Sequence, residues 1–473
     1  MSHPPVAPGA AYSVTIRLEA PTDPQLLPRI AQAVTSEGAV VVAMDLVDVS
    51  VGGAVVDVTL QAHDEAHVTR LEHALNAADM RVRNTSDRVF LYHLGGKIEV
   101  SPRRTVRTRD DMSMAYTPGV GRISTAIAED PERAWRLTAK GSSVAIVTNG
   151  SAVLGLGNLG PLAALPVMEG KAVIFKQFGN VNAYPLCLDV PNTQALIDAT
   201  LAIAPGFGGI NLEDIKAPEC FEVELALQAQ LDIPVFHDDQ HGTAIVVLAG
   251  LINACRLTGR DLKSTRVVVV GVGAAGTAIT LALLDAGVLD VIAVDKDGPL
   301  TGSSVGGSPA VLPHHQRIAD CTNPRGITTI EEALKGADVF IGAAMRGSVD
   351  PDLLSSMAPR PVIFALSNPV PEVFAEEMPA GALFATGRSD YPNQVNNSLC
   401  FPGFFRGALD ARARSVTSEM KLAATRAIAD TVTDEQLSVG VIIPSMFASN
   451  VHDRVAKAVA EAAGAPASKT DRG

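Results

Sequence analysis

The stretch Arg266-Val267-Val268-Val269-Val270-Gly271-Val272-Gly273-Ala274-Ala275-Gly276 carries the fold assignment. Four consecutive valines read as a strand buried on both faces, the mark of a parallel sheet covered by helices. The strand runs straight into G-x-G-x-x-G, and Thr277 to Ala286 continues as a helix. A second strand, Val291 to Val294, ends in Asp295, nineteen positions beyond Gly276. Strand, glycine turn, helix, strand and acid in that order define the dinucleotide unit of a doubly wound Rossmann-type α/β sheet. Gly271 permits the tight turn, Gly273 admits a pyrophosphate against the backbone, and Gly276 lets the helix pack closely. Ala274 and Ala275 open that helix, whose N-terminus attracts phosphate. Asp295 is placed for the ribose hydroxyls and repels a 2′-phosphate, which favours NAD, while the adjacent Lys296 leaves NADP open.

Downstream, Ala337 to Gly342 and Pro361 to Pro369 read as further parallel strands of this sheet, separated from the first pair by a Gly/Ser/Pro-rich, loop-like segment at 298–316. Asn368 falls at a carboxyl strand end, where open α/β sheets bind ligands. Residues 390–402 are polar and hold Asn393, Asn396 and Asn397, a plausible pocket wall, and the chain is then helical to about Ala463.

Upstream lies Pro234-Val235-Phe236-His237-Asp238-Asp239-Gln240-His241-Gly242-Thr243-Ala244. An isolated Asp-Asp pair is ordinarily a solvated helix cap. A second acid pair, Glu213-Asp214, also closes an apolar run, and two such pairs suggest carboxylates converging from neighbouring strand ends on a hard divalent cation, Mg²⁺ or Mn²⁺. The chain is expected to turn at Gly242 and continue as an apolar helix, Thr243 to Leu257, connecting two domains. Before the acid pairs come a strand at Ser143 to Thr148 and a second at Ala152 to Leu154. Another G-x-G-x-x-G, Gly155 to Gly160, lacks a following acid and suits a substrate or nicotinamide pocket. A strand is expected at Lys171 to Lys176. Tyr116 sits on a Pro-Gly turn ahead of a helix; such a tyrosine is ordinarily a packing residue.

The N-terminal part, after a Pro/Ala/Gly-rich start expected to be disordered, alternates as strand (13–18), helix (24–38), strand (40–47), strand (54–62), helix (67–78) and an extended run (80–91), with Gly52-Gly53 as a hairpin signal. This βαββαβ order is ferredoxin-like and resembles an ACT-type regulatory domain; a purely structural dimerisation module reads equally well. The resulting domains are 12–92, 93–242 (substrate and metal), 243–430 (dinucleotide) and a C-terminal helical segment, 431–465.

A chain of 473 residues with 47% hydrophobic content is globular and too long for one core. Glycines and polar residues break every apolar run short of the roughly 18 residues of a membrane span. The first eleven residues carry no secretory pattern, so a cytoplasmic location is expected. Five scattered cysteines argue against disulfides or a zinc site. A formal charge of -13 disfavours nucleic acid and anionic membranes as partners, but not a small anionic substrate. A nicotinamide site, a carboxylate-bound cation, a Tyr and Lys acid-base pair and nearby amides fit oxidation of a hydroxy acid. The cation becomes necessary if CO₂ is then lost, because it stabilises the enolate.

Five motifs in order, Tyr116 to Gly121, Gly155 to Gly160, Asn211 to Asp214, Phe236 to Ala244 and Leu366 to Pro369, resemble those of malic enzymes, over residues 93–430. The chain looks like the short bacterial NAD-dependent branch with an ACT-like extension. The resemblance implies oxidative decarboxylation of (S)-malate to pyruvate, or, as the alternative, an oxaloacetate decarboxylase or malolactic-type lyase that keeps NAD bound. It implies Glu213, Asp214 and Asp239 as metal ligands, Tyr116 and Lys171 as the acid-base pair, Asp238 as the group tuning Lys171, and Asn368 and Asn397 on substrate, with Asn368 also near the cofactor. A base lysine is expected to have a lowered pKa. The histidines 237 and 241 become supporting residues. Ala152 stands where larger relatives carry an arginine, which leaves Arg122 or Lys176 to hold the substrate carboxylate. A homo-oligomer, dimer or larger, and a small-metabolite effector at the N-terminal module complete the expectation.

Overall fold

The computed structural model describes residues 9–50, 53–301 and 313–464. Gly52 of the hairpin signal, most of the 298–316 segment and the chain ends read as disordered or frayed lie outside the described residues, except that Ala10–Tyr12 form a short 3₁₀ turn. The chain divides into two units, Met1–Glu99 and Val100–Gly473.

In the first unit, β1 (Ser13–Ala20), β2 (Val40–Ser50), β3 (Gly53–Gln61) and β4 (Arg81–Asp87) form one antiparallel sheet in the order β2-β3-β1-β4. Helices Leu26–Ser36 and Glu65–Ala77 connect β1 to β2 and β3 to β4. Alternation explains the layering: Ala54, Val56, Val58 and Leu60 of β3 are buried, and the helices bury Ile30, Val34, Leu71 and Leu75 in the same core. The extended run expected to reach Leu91 stops at Asp87. Its carboxylate accepts from the amides of Val89 and Phe90 and starts the helix Arg88–His93, the usual work of an N-cap acid.

The second unit holds two parallel sheets. In one, β5 (Ser143–Thr148), β6 (Asn182–Cys187), β7 (Gly209–Leu212) and β8 (Val235–His237) lie in the order β6-β5-β7-β8. The other contains β9 (Arg266–Val270), β10 (Asp290–Asp295), β11 (Gly298–Pro299), β12 (Val339–Gly342), β13 (Val362–Ala365) and β14 (Leu383–Thr386), in the order β11-β10-β9-β12-β13-β14. Only β11 runs antiparallel. The chain goes from β9 to β10 on one side and returns to β12 on the other, so the crevice at their carboxyl ends is a topological switch point. Gly271 closes it with φ +98, and a side chain there would strike the carbonyl of Ala343 after β12.

Four local expectations change. Lys171 to Lys176 is not a strand but the end of the helix Pro161–Gly179. Its buried positions, Ala164, Met168, Lys171, Ala172, Phe175 and Gly179, recur at three and four residues, and Pro161 sits in the first turn, where a missing amide costs nothing. Ala152 to Leu154 is likewise no strand; Val153–Gly155 is a 3₁₀ turn with Leu154 at φ +47. The long apolar helix spans Asp238–Thr258, so Gly242 lies inside it rather than at a turn. Within 298–316, Pro313 already opens a helix that runs to Cys321.

The helix Asp238–Thr258 is long and apolar enough to cross a bilayer, but its residues from Ala244 to Leu251 are buried, most of them in a core shared with residues of both sheets, including Ile146, Phe236, Val269 and Phe364. Phe175, Phe236, Phe401, Phe404 and Phe405 stack beside its N-terminal end, with Phe175 and Phe401 centroids 4.7 Å apart. The five cysteines are all free, Cys220, Cys255 and Cys400 buried. Near its C-terminal end, buried Asn253 donates to the carbonyls of Ala429 and Ile442, both at 3.0 Å, and accepts from Arg256. Asn253→Ala removes the Asn253 donor from the Ile442 carbonyl and leaves the Ala429 carbonyl with the Val432 amide alone, and is expected to cost about 1–3 kcal/mol. A lowered midpoint in urea or heat denaturation checks this; an unchanged midpoint contradicts it.

Candidate active site

Lys171 presents its ammonium from the helix Pro161–Gly179 into a nest of carboxylates at the carboxyl ends of β7 and β8. It is 7% exposed, pairs with Asp238, and lies 2.6 Å from Glu213 Oε1. The face of the Phe401 ring packs 4.4 Å from Nζ. Parallel pairing of Leu212 with His237 sets the two acid pairs side by side. They are also tied directly: the amide of Asp214 donates to Asp239 Oδ2 at 2.9 Å. Oxygens of Glu213, Asp214 and Asp239 lie within 4.8 Å of one another.

The electrostatics follow from burial and crowding. Burial, reinforced by Asp239, pushes Asp214 up to about 7. Burial raises Asp238 to about 6 against the pull of Lys171, and Glu213 is raised for the same reasons. For Lys171 burial disfavours the charge, but Asp238, Glu213 and Asp239 outweigh it and hold the ammonium above the ordinary lysine range. This reverses the expected lowering, because the protein's own groups around this lysine are all anionic. Asp214 Oδ2 and Asp238 Oδ1 are buried without a hydrogen-bond partner among the described residues. Orphaned, mutually repelling, all-oxygen donors at this spacing fit a hard divalent cation.

The amides arrive from the dinucleotide sheet. A Cβ at Gly242 would run into Asp238 and lie 3.0 Å from Asn397 Cβ, so Asn397 borders the Lys171 nest. Asn368 follows β13; its carbonyl would touch a Cβ at Gly155, and its side chain one at Gly387. The earlier glycine loop thus faces Asn368. The segment just before that loop braces the acids, with the amide of Ala152 donating to the Asp214 carbonyl at 3.0 Å. In the crevice, the helix Ala274–Asp285 starts at Gly273, so Ala274 and Ala275 offer its first amides, and a side chain at Gly276 would collide with Gly271. Asp295 closes β10, 3.8 Å from His315 Nε2.

Three expected residues stand elsewhere. Tyr116 is 65% exposed, between the helices Arg109–Ala115 and Gly119–Glu129. Lys176 is engaged by Asn180 and Asn182, both at 3.0 Å, at the far end of its helix, which removes it as a substrate anchor. Arg122 lies on the exposed helix Gly119–Glu129. Sequence reasoning passed over Glu224, 5% exposed, which accepts from the His237 amide, Gln240 and His241. Its signal was available: it falls in the buried stripe Cys220, Val223, Glu224, Leu227, where a carboxylate needs partners.

A dinucleotide crevice in the same unit as a buried lysine and a carboxylate cluster defines the class of a nicotinamide-dependent oxidoreductase. The family descriptions "Malic enzyme, N-terminal domain" and "Malic enzyme, NAD binding domain" match residues 95–201 and 240–464. The chain is 49% identical to the NAD-dependent malic enzyme of Geobacillus stearothermophilus over 458 residues, 96% of this chain and 95% of that one. It is 47% identical to the bifunctional malic/malolactic enzyme of Bacillus subtilis, covering 78% of this chain and 90% of that one. The crystal structure of NAD-dependent malic enzyme from Thermotoga maritima superposes with a TM-score of 0.74 at 44% identity, covering 79% of this chain and 99% of that one. The chain belongs to the malic enzyme family.

Gly242 offers a clean test of the geometry. Alanine favours a helix interior by roughly 0.5–1 kcal/mol over glycine, yet here its methyl displaces the Asp238 carboxylate. Gly242→Ala is expected to lower thermal stability, because disturbing the buried Lys171–Asp238 pair costs more than the helix propensity returns, and to lower turnover at least about tenfold. Wild-type turnover contradicts the placement of Asp238.

Proposed function

We propose that the chain oxidises (S)-malate with NAD and decarboxylates the product to pyruvate and CO₂, with Lys171, Asp238, Glu213, Asp214 and Asp239 as the working cluster. The observation that carries this reading is the buried ammonium held among four buried or half-buried carboxylates at adjoining strand ends. Lys171 takes the proton from the malate hydroxyl, and Asp238 holds its ammonium in line. NAD would be held with its pyrophosphate at Gly271, Gly273, Ala274, Ala275 and Gly276 and its ribose at Asp295, and would supply the hydride acceptor. Asn368 and Asn397 fix the substrate's carboxylate and hydroxyl. A Mg²⁺ or Mn²⁺ ion held by Glu213, Asp214 and Asp239 supplies positive charge that polarises the substrate oxygen and offsets the acids that keep Lys171 protonated. Lys171 and Tyr116 then manage the protons of oxaloacetate and enolpyruvate, with Tyr116 returning one to carbon.

Tyr116 at 65% exposure needs a cover before it can deliver a proton away from water. The neighbouring Met112, Met114, Val120 and Ile123 are exposed too, and a second copy of the chain over this apolar face supports the homo-oligomer reading. The βαββαβ order and antiparallel sheet of the first unit support an ACT-like, ferredoxin-like regulatory module that takes a small-metabolite effector. The Bacillus subtilis relative, described as malic and malolactic, favours a second reading in which NADH is re-used on the enzyme and lactate leaves. Product identification with free NADH measured in parallel separates the two.

Removal of the base tests the chemistry. Lys171→Ala should lower kcat by about 10²–10⁴ while NAD affinity, read by calorimetry, stays within a factor of about two; near-normal turnover removes Lys171 from the mechanism. The acids test the cation. Asp214 at about 7 and Asp238 at about 6 stand above the ordinary 3.8. The folded protein therefore keeps protons there that the unfolded chain has lost, so these groups favour folding at low pH and that contribution fades as pH climbs from about 4 to about 7. Binding of Mn²⁺ by Glu213, Asp214 and Asp239 requires the Asp214 proton to leave. The rise in melting temperature on adding Mn²⁺ should grow between about pH 5 and 7 and level off above; a pH-independent rise contradicts this cluster as the cation site.

A further inference from the structure

The helix Asp238–Thr258 opens with two acids one residue apart and gives them different surroundings: the Asp238 side chain is fully buried against Lys171, while Asp239 is 34% exposed and faces Asp214. Successive residues on a helix point about 100° apart. The rotation of this first turn about the helix axis thus decides which carboxylate meets the lysine and which joins Glu213 and Asp214. The buried helix body beyond Ala244 sets the rotation of the rod as a whole; the local set of its first turn, which follows a three-residue strand, needs a further hold.

We propose that Glu224 is the positioning residue that fixes it. Glu224 belongs to another element, the helix Glu219–Gln230, and is 5% exposed among Cys220, Val223 and Leu227. One oxygen accepts from the backbone amide of His237 at 2.9 Å. The other accepts from Gln240 Nε2 at 3.3 Å and lies 3.0 Å from His241 Nε2. These three groups bracket the acids: the residue immediately before Asp238 and the two immediately after Asp239. A leucine would fill the same volume without desolvating a charge, but it would leave the His237 amide without its acceptor and both side chains unanchored. Glu224 touches neither Lys171 nor the candidate cation ligands by hydrogen bond; it acts through the backbone and flanking side chains that carry them. Partners of this kind are worth about 10–100-fold in metal affinity where they orient ligands.

The inference rests on Glu213, Asp214 and Asp239 forming the cation site, so Mn²⁺ binding to the full-length protein is the readout, followed by the paramagnetic resonance of free Mn²⁺, with kcat and NAD KM measured alongside. Glu224→Ala should weaken Mn²⁺ binding about 10–100-fold and lower kcat, with NAD KM unchanged. Glu224→Gln, whose amide oxygen still accepts from the His237 amide, should restore Mn²⁺ affinity to within about threefold of the native protein. Folded Glu224→Ala with native Mn²⁺ affinity overturns the proposal, as does a Gln variant as weak as Ala. If Glu224→Ala fails to fold, Glu224→Asp decides: it keeps the charge but falls one methylene short, so weakened binding supports positioning and native binding overturns it. Native protein that fails to bind Mn²⁺ one to one, or Asp239→Asn that binds as tightly as native, overturns instead the cation site on which the inference stands.

Discussion

One constraint organises this molecule: an ammonium and four carboxylates gathered in a largely dehydrated nest. Isolated burial of any one of these charges is prohibitive, so each is tolerable only while the others stay in place. Lys171 balances Asp238 and Glu213 directly, and the amide of Asp214 partly satisfies Asp239. The remaining excess is negative, seen in the raised Asp214 and Asp238 and in the orphaned oxygens. A protein with that excess at one point is built to receive positive charge there.

Holding the nest takes three elements that must not move relative to one another. Parallel pairing of β7 with β8 sets the acid pairs side by side, the helix Pro161–Gly179 delivers the lysine, and the aromatic group of Phe175, Phe401 and Phe405 packs that helix against the start of Phe401–Ala411. The helix that begins with Asp238 runs on through the shared core to Thr258 and leads into β9. A single rigid rod thus carries two of the acids at one end and introduces the dinucleotide sheet at the other.

Much of this was legible in sequence wherever the signal was local. Four valines into G-x-G-x-x-G, with an acid at the next strand end, specify a strand, a tight turn and a helix because steric limits on each residue allow little else. Both acid pairs stood out for the same reason, as charges closing apolar runs. The reading failed where the decisive contacts are distant. Lys171 to Lys176, short, apolar and β-branched in the middle, is ambiguous between strand and helix by periodicity; only the turns before it, begun at Pro161, make it helical. Glu224 is set apart from the other acids only by the burial of its helix neighbours Cys220, Val223 and Leu227.

By itself, then, the sequence determined the dinucleotide unit, the βαββαβ order and the residue types available for acid-base and metal chemistry, since those depend on backbone sterics and short-range patterning. Tertiary structure supplied the physical reason that Asp238 meets the lysine, as the family resemblance implied, and alone decided that the lysine's surroundings raise rather than lower its proton affinity and that Tyr116 stands exposed. These are matters of direction, dehydration and charge summed over residues far apart in the chain, and nothing in the order of neighbours along it encodes them until the strands are side by side.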